Sequence, residues 1–332
     1  MEFKETDIRP DRLMQGQIKH TNADRRRLLS HKGKFVSIPC PACNSRKARI
    51  AFKKGGLTYK ACLDCETLYV NPRPTAAILE KCYAESEVYA YWNKYIFPQS
   101  DAARRKNIIC PRVDRLIEIC RRYAIKNATL LEVGSAFGTF CEEAKSRGFF
   151  SRVIAVEPTP DLAETCRRKG LEVIEKPIEQ IKFQPGTINV VVSFEVIEHL
   201  FSPRDFLRSC AAVLSPGGLL VLSCPSCKGF DIVTLQSLSA SIDHEHLNYF
   251  NPNSLPHLVE RCGFETLEVL TPGVLDAEIV RKKILSGEFD VSEDPFLKQI
   301  LIDDWGRVSQ KFQKFLSDNL LSSHMWLVAR KK

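Results

Sequence analysis

Leu130-Leu131-Glu132-Val133-Gly134-Ser135-Ala136-Phe137-Gly138-Thr139-Phe140 decides the fold. An apolar run ends near a carboxylate and breaks into a turn with two glycines, the pattern of a buried strand feeding a helix. Gly134 and Gly138 let the backbone come close to a ligand at that break. Ile154-Ala155-Val156-Glu157 is a second apolar run, and Glu157 closes it 25 residues after Glu132. A carboxylate near that spacing grips ribose hydroxyls in nucleotide-binding sheets. Ile188 to Leu200 (INVVVSFEVIEHL) and Leu214 to Ser223 (LSPGGLLVLS) supply two more buried strands. The order predicts an α/β fold, a Rossmann-like doubly wound sheet.

The remaining elements fit between these runs. Ile108 to Tyr123 has helical apolar spacing and leads into the first strand. Glu142 to Gly148 reads as the first crossover helix, and a second runs from an Asp161 cap to Gly170. Short strand three is Glu172 to Ile174, and strand four is Asn189 to Phe194. Pro203 to Leu214 is a helix, Pro216-Gly217-Gly218 turns into strand five, and strands follow at Thr266 to Leu270 and Met325 to Arg330. The stretch between those last two, about 275–320, is expected to be a helical insertion.

Glu132 to Gly138 resembles the first motif of the class I S-adenosylmethionine-dependent methyltransferases, (Asp/Glu)-x-Gly-x-Gly-x-Gly, with Ala136 at the middle glycine. Asn189 stands where that family usually has Asp. The resemblance runs from about Asn127 to the C-terminus. It implies S-adenosylmethionine as cofactor, held by Glu132, Gly134, Ser135, Ala136, Gly138 and Glu157. It further implies Pro177 and Ile178 beside adenine, and Phe194 and Glu195 at the end of strand four. A dinucleotide-binding domain is the competing reading, but the chain has no G-x-G-x-x-G, and E-V-I-E-H after strand four is not a dinucleotide signature.

With 332 residues, 44% hydrophobic, the chain is long enough for two domains. No apolar run approaches the roughly 20 residues of a membrane span. MEFKETDIRPDR lacks the apolar centre of a signal peptide, and 13 scattered cysteines suit a reducing compartment; a soluble, cytoplasmic protein is expected. The net charge of +8 is uneven: residues 1–110 hold 21 Lys/Arg against 11 Asp/Glu, and the remainder 27 against 29. Such asymmetry marks either an anionic partner or a solvated lysine-rich face. The absence of a dense basic run with interleaved aromatics favours the second.

Cys40-Pro41-Ala42-Cys43 and Cys62-Leu63-Asp64-Cys65, separated by 18 residues, have the spacing of a zinc ribbon. Each C-x-x-C aims two thiolates at one point, and two of them close a tetrahedral structural site. RIAFKK and LTYKA between them supply hairpin strands. The expected organisation is an arm at 1–38, a zinc ribbon at 39–75, a helical linker or lid at 76–126, and a methyltransferase domain at 127–332. The linker carries Tyr83, Tyr89, Tyr91, Trp92, Tyr95 and Phe97. These form either a packing face or a cover over the ligand pocket.

Ribbon, Pro-Arg-Pro linker and methyltransferase domain in this order resemble bacterial sugar C-methyltransferases and polysaccharide-cluster relatives. That likeness implies a small hydroxylated or keto acceptor, most often a nucleotide-linked sugar. Their Tyr-x-Glu-His motif reads here Asp243-His244-Glu245-His246. A weak nucleophile needs a base, and histidine suits neutral pH. His246 is the first candidate and His199 the second, with Glu245 orienting the imidazole or taking the proton and Glu198 beside them. The missing tyrosine shifts the balance from carbon towards oxygen methylation.

Glu195-x-x-Glu198-His199 also resembles the E-x-x-E-H of metal-dependent O-methyltransferases of ubiquinone synthesis and of small-RNA 3′ ends. That implies a second divalent ion on Glu195, Glu198 and His199, with His244 or His246 as a further ligand, and an RNA or catechol acceptor. A plain structural reading is that E-V-I-E-H starts a helix, whose N-terminus favours carboxylates. Cys224-Pro225-Ser226-Cys227 has no partner pair and is read as coincidence.

Overall fold

A computed structural model of the chain describes residues 5–184 and 186–332. Two sheets organise it. The smaller begins with the ribbon hairpin, β1 (Ala48–Lys54) and β2 (Leu57–Cys62), followed by β3 (Leu68–Val70). Gly55 and Gly56 turn the hairpin at φ +56° and +84°, a region that costs a residue with a Cβ but not glycine.

The larger sheet takes β4 (Thr129–Val133), β5 (Arg152–Val156), β6 (Glu172–Ile174), β7 (Ile188–Phe194) and β8 (Leu214–Pro225). After a short β9 (Asn248–Tyr249) it is completed by β10 (Phe264–Leu270) and β11 (His324–Lys331). Its strand order is β10-β11-β8-β7-β4-β5-β6. β4 to β8 run parallel, while β11 is antiparallel to both neighbours. The order reverses direction at β4, which is paired with β5 on one side and β7 on the other. That switch point is where open α/β sheets bind ligands, outside the carboxyl ends of the strands. Leu130, Leu131, Val190, Val191, Val192 and Leu220 are fully buried, because helices cover both faces.

Helix Thr139–Ser146 starts three residues before the expected Glu142, with left-handed Gly138 as its N-cap. Helix Pro160–Arg168 is entered from Thr159 rather than capped by Asp161; Pro160 takes its first position, where a missing N–H costs nothing. The predicted helix at 108–123 appears as Cys110–Arg122. It continues a helical run from Glu87 that contains π-turns at Trp92–Ile96 and Arg105–Ile109. Pro98 and Pro111 stand just after them. A proline cannot donate to the preceding turn and crowds its carbonyl, and a wider turn relieves both.

The arm at 1–38 holds a helix, Asp11–Ser30. Its buried Asp24 accepts from the Ser86 hydroxyl (2.8 Å) and the Glu87 and Val88 amides (both 3.0 Å), and so ties the arm to the start of helix Glu87–Tyr91. Within 275–320 the chain forms helices Asp276–Leu285, Pro295–Lys298 and Trp305–Asp318, which pack with Phe230–Leu235 in a cluster of their own. No helix among the described residues is long and apolar enough to cross a membrane.

The smaller sheet has the order β1-β2-β3-β9. Its last strand comes from the loop after β8, so a sheet begun by the ribbon is finished by a segment that follows the larger sheet's parallel strands. Leu68 pairs with Tyr249 and Tyr69 with Asn248.

Candidate active site

The glycine loop closes the top of β4. Gly134 has φ +80° and Gly138 φ +66°. A Cβ on Gly134 would lie 2.5 Å from Val196, and one on Gly138 would lie 2.6 Å from Leu171 and 2.8 Å from Cys166. Close packing against protein, as well as room for a ligand, therefore requires these glycines. Ala136 replaces the middle glycine at φ +46°. The left-handed region costs an alanine roughly 1–2 kcal/mol. Its amide donates to Glu157 Oε2 at 2.8 Å, a charge-assisted bond that offsets the strain. The Thr159 amide donates to Glu157 Oε1 at 2.9 Å. Glu157 thus joins the loops after β4 and β5, with lone pairs left over for hydroxyl donors. Ser135 anchors the same turn by donating its amide to the Val156 carbonyl.

Glu132 is buried and takes a bond from the Cys141 thiol at 3.0 Å. Burial pushes its carboxyl up to about 8, partly opposed by Cys141 and Arg112. Arg112 was not foreseen. Its guanidinium lies 4.5 Å from the Phe194 ring centroid and acts electrostatically on Glu195 and Glu132. Among the described residues no carboxylate hydrogen-bonds it. Phe194 itself packs between Phe140 and Trp326, so its side chain belongs to the core and not to a pocket wall. Ile178 is likewise a core residue, at 2% exposure, with Pro177 leading into its short turn.

E-V-I-E-H does not start a helix. Ile197–His199 is one 3-10 turn, separate from helix Pro203–Val213. Glu195, at φ +56°, turns away from Glu198 and His199. It accepts from the Ser223 hydroxyl at 2.6 Å and pairs with His324 at 3.3 Å. Burial would raise its carboxyl, but His324, Arg112 and Ser223 bring it down to about 2. The expected Glu195–Glu198–His199 ligand set is therefore not assembled. His244 does not join it either: it is buried within electrostatic reach of Asp24 and Arg25 of the arm.

What does assemble is Glu198, His199 and His246, whose ligand atoms lie within 4.8 Å of one another. The two imidazoles meet edge to face at 4.6 Å. His246 Nδ1 faces the Ser241 carbonyl at 3.0 Å, which can only accept. Nδ1 therefore carries a proton, and in the neutral imidazole Nε2 holds the lone pair. Asp243 Oδ1 holds the Glu245 and His246 amides at 2.8 and 3.0 Å. Ser241 and Asp243, not Glu245, orient the ring. The Glu245 carboxyl is pushed up to about 8 by burial and by Asp243.

Two phenols enter from the linker. Tyr83 Oη lies 3.2 Å from His199 Nδ1 and 3.4 Å from the Glu245 carbonyl. Giving the phenolic proton to the carbonyl lets His199 Nδ1–H donate to the phenol, which satisfies all three groups and leaves Nε2 bare. Burial, with His246 nearby, holds the His199 imidazole down at about 3, so it is neutral. Tyr89 stands 6.0 Å from Tyr83, ring to ring. Phe97 stacks on Phe137 of the glycine loop at 3.4 Å. Tyr91 instead packs on His20, and its hydroxyl donates to the Leu13 carbonyl at 3.1 Å. The aromatic cluster therefore divides: Tyr83 stands beside His199 with Tyr89 next to it, Phe97 packs on the glycine loop, and Tyr91 binds the arm.

The ribbon fits a metal. Cys40, Cys43, Cys62 and Cys65 Sγ lie within 4.8 Å of one another. Cys40–Cys65 and Cys43–Cys62 are both 3.5 Å apart, close to the edges of a tetrahedron with Zn–S of about 2.3 Å. Each knuckle is followed by a left-handed residue, Asn44 and Glu66.

The pattern of the methyltransferase domain family matches residues 102–269, half of the chain. The chain belongs to that family. Within its methyltransferase domain lie the glycine loop, Arg112, Glu157, the Glu198–His199 turn and His246. A ubiquinone biosynthesis O-methyltransferase of Xanthomonas campestris is 31% identical over 116 residues, 33% of this chain and 48% of that protein. The C-methyltransferase NovU of Streptomyces niveus is 27% identical over 194 residues, 56% of this chain and 44% of that protein. The chain thus spans about half the length of each. Among solved structures, a SAM-dependent methyltransferase from Thermotoga maritima superposes with TM-score 0.46 at 14% identity, over 74% of this chain and 99% of that one. The amino pentose methyltransferase CalS10 of Micromonospora echinaspora gives TM-score 0.34 at 22% identity, over 37% and 53%.

Proposed function

We propose that the protein transfers the methyl group of S-adenosylmethionine to a small hydroxylated or keto acceptor, a nucleotide-activated sugar or polysaccharide precursor. The observation that carries this is His246, with a bare Nε2 fixed beside His199 and two phenols, near the carboxyl ends of the strands that carry the glycine loop. The likeness to a C-methyltransferase and to a ubiquinone biosynthesis O-methyltransferase supports the transfer chemistry at low identity. The acceptor assignment follows the ribbon, the linker and the loop motif, and makes use of the basic front half.

When bound, the cofactor supplies an electrophilic methyl on a sulfonium. Glu157 holds its ribose hydroxyls, and Arg112 suits the carboxylate of its amino-acid end. Phe97 and Phe137 wall off water near the loop. His246 Nε2 would take the proton from the acceptor's hydroxyl, or from the carbon beside its ketone; the bound cofactor would supply the methyl to that atom and leave as the thioether. Holding the two reactants in line supplies much of the acceleration. Tyr83 and Tyr89 bring phenols where the loop motif has Asp243 in place of tyrosine, so carbon methylation regains support.

The test is calorimetric. Wild-type protein binds S-adenosylmethionine, and Glu157→Ala binds it about 10- to 100-fold more weakly, the value of hydrogen bonds to a charged group. An unchanged dissociation constant in the variant refutes the ribose assignment. Absence of any binding by the wild type leaves a non-catalytic protein on a methyltransferase fold.

A second reading has one observation behind it. Both oxygens of Glu198 are buried without a hydrogen-bond partner, and Oε1 lies 4.0 Å from His199 Nε2. Burial, Glu195 and Asp243 push this carboxyl well above its ordinary range. Either a proton or a cation must fill that space. Glu198, His199 and His246 would hold a divalent ion, which lowers a hydroxyl's pKa. In a Mn2+ titration followed by electron paramagnetic resonance, this reading requires uptake by the wild type that Glu198→Ala abolishes. Equal signals in both leave the proton.

A further inference from the structure

Arg73 lies between the two prolines of the linker and is 0% exposed. Among the described residues no carboxylate pairs with it. Its donors reach backbone carbonyls in three separate segments: Nε to Val70 at 3.1 Å, Nη1 to Phe201 at 3.2 Å and Nη2 to Leu247 at 3.0 Å. Val70 ends the ribbon's last strand. Phe201 lies two residues after His199, and Leu247 directly follows His246. The Leu247 carbonyl also accepts the Val70 amide at 3.0 Å, and the Leu247 amide donates to the Glu198 carbonyl at 2.7 Å. Asn248 Nδ2 adds bonds to the Ile197, Glu198 and Leu200 carbonyls. One guanidinium therefore joins the ribbon to the backbone beside both imidazoles.

A buried cation without a counter-charge costs several kcal/mol. Burial draws the guanidinium down to about 9, and the groups acting against that are the Tyr69 phenol and the Cys40 thiol. Cys40 belongs to the ribbon's four-thiol site. A zinc ion on four thiolates is doubly negative, and Cys40 and Cys62 pack in one core cluster with Tyr69, four residues before Arg73, so a filled ribbon would supply counter-charge that no carboxylate provides. Lysine would keep the charge but not the geometry, since a single ammonium has no planar fork with which to reach three fixed carbonyls.

We propose that Arg73 is a positioning residue: neutralised by the zinc–tetrathiolate centre, its guanidinium fixes the backbone beside His199 and His246 and thereby the placement and tautomers of the two rings. This rests on the reading of those histidines as the reacting pair. It makes the ribbon a working part of the base and not only a staple.

The test uses the full zinc-loaded chain and reads the imidazole nitrogens by 15N-edited NMR, which needs no methyl acceptor. Wild type shows His246 as a single Nδ1–H tautomer. Arg73→Lys keeps zinc affinity within about threefold in chelator competition, but its His246 signal becomes a tautomer mixture and its transfer rate falls about 10- to 100-fold with little change in KM. Arg73→Met loses the charge as well, and zinc affinity falls about tenfold or more. Should the methionine variant not fold, the lysine variant carries the test. Stepwise chelation of the wild type needs no variant: the His199 and His246 signals shift in step with zinc release. Wild-type histidine signals in Arg73→Lys, or signals indifferent to zinc release, overturn the proposal. If the signals respond as expected but no acceptor is ever methylated, the functional reading fails and the positioning role stands.

Discussion

His246→Ala is expected to lower the methyl-transfer rate about 100- to 10,000-fold, the contribution of a well-placed general base. S-adenosylmethionine affinity should stay within about twofold, because the ring touches neither the glycine loop nor Glu157. The Ser241 carbonyl fixes a proton on Nδ1, so the variant loses the lone pair that the neutral ring holds on Nε2 beside Glu198 and His199. His199 cannot replace it: its Nδ1 is bound to Tyr83, and burial keeps the ring a weak base at about 3. Steady-state rates and calorimetry on one preparation check both halves. Equal loss of rate and cofactor affinity would mean that the substitution disturbs the fold, and His246 would lose its place as the base.

Loss of a metal from the ribbon's four thiols is expected to have the second large effect. Structural zinc contributes roughly 10–16 kcal/mol of apparent binding free energy in small domains, and here it would join the two knuckles that the β1–β2 hairpin and its packing on the larger domain leave unlinked. Cys62→Ser is expected to open the ribbon to proteases and to abolish transfer, yet to leave S-adenosylmethionine binding largely intact. The reason lies in the pairing of β3 with β9. Opening the ribbon removes the strand that holds Asn248 and Tyr249, two and three residues after His246. The Asn251 side chain, bonded to the Cys65 carbonyl at 2.9 Å, and Arg261, bonded to the Ala42 carbonyl at 3.3 Å, lose their anchors too. The glycine loop is built on β4 and β5 and has no such dependence. Limited proteolysis, mass spectrometry of the bound metal and calorimetry decide it. A protease-resistant, fully active Cys62→Ser protein would show that the ribbon is incidental.

The strands of the large sheet were legible because each is a continuous apolar run between glycine or proline breaks, which parallel burial on both faces requires. The paired C-x-x-C motifs were legible because the geometry of thiolate ligation fixes short spacings. The contribution of β9 was not, because two residues carry no periodicity and their partner lies about 180 residues away in the chain. The same distance hid Tyr83: the sequence showed a tyrosine missing at Asp243, but only folding brings a phenol back from the linker. Glu195 and Glu198 looked alike three residues apart. A left-handed Glu195 then sends one carboxylate to Ser223 and leaves the other buried beside His199. Helix Asp11–Ser30 carries no clear apolar stripe because its surface is mostly charged, and much of its tie to the rest is polar, through Asp24, His20 and Arg27. Arg73 read as linker punctuation between prolines, since nothing local distinguishes a buried arginine from a solvated one.

Methyl-labelled S-adenosylmethionine, incubated with the protein and an extract of its own cells, tests the proposed chemistry most directly. The expected result is label in nucleotide-sugars or glycans, present with wild type and absent with His246→Ala. Label in RNA, or label that persists in the His246 variant, would contradict it.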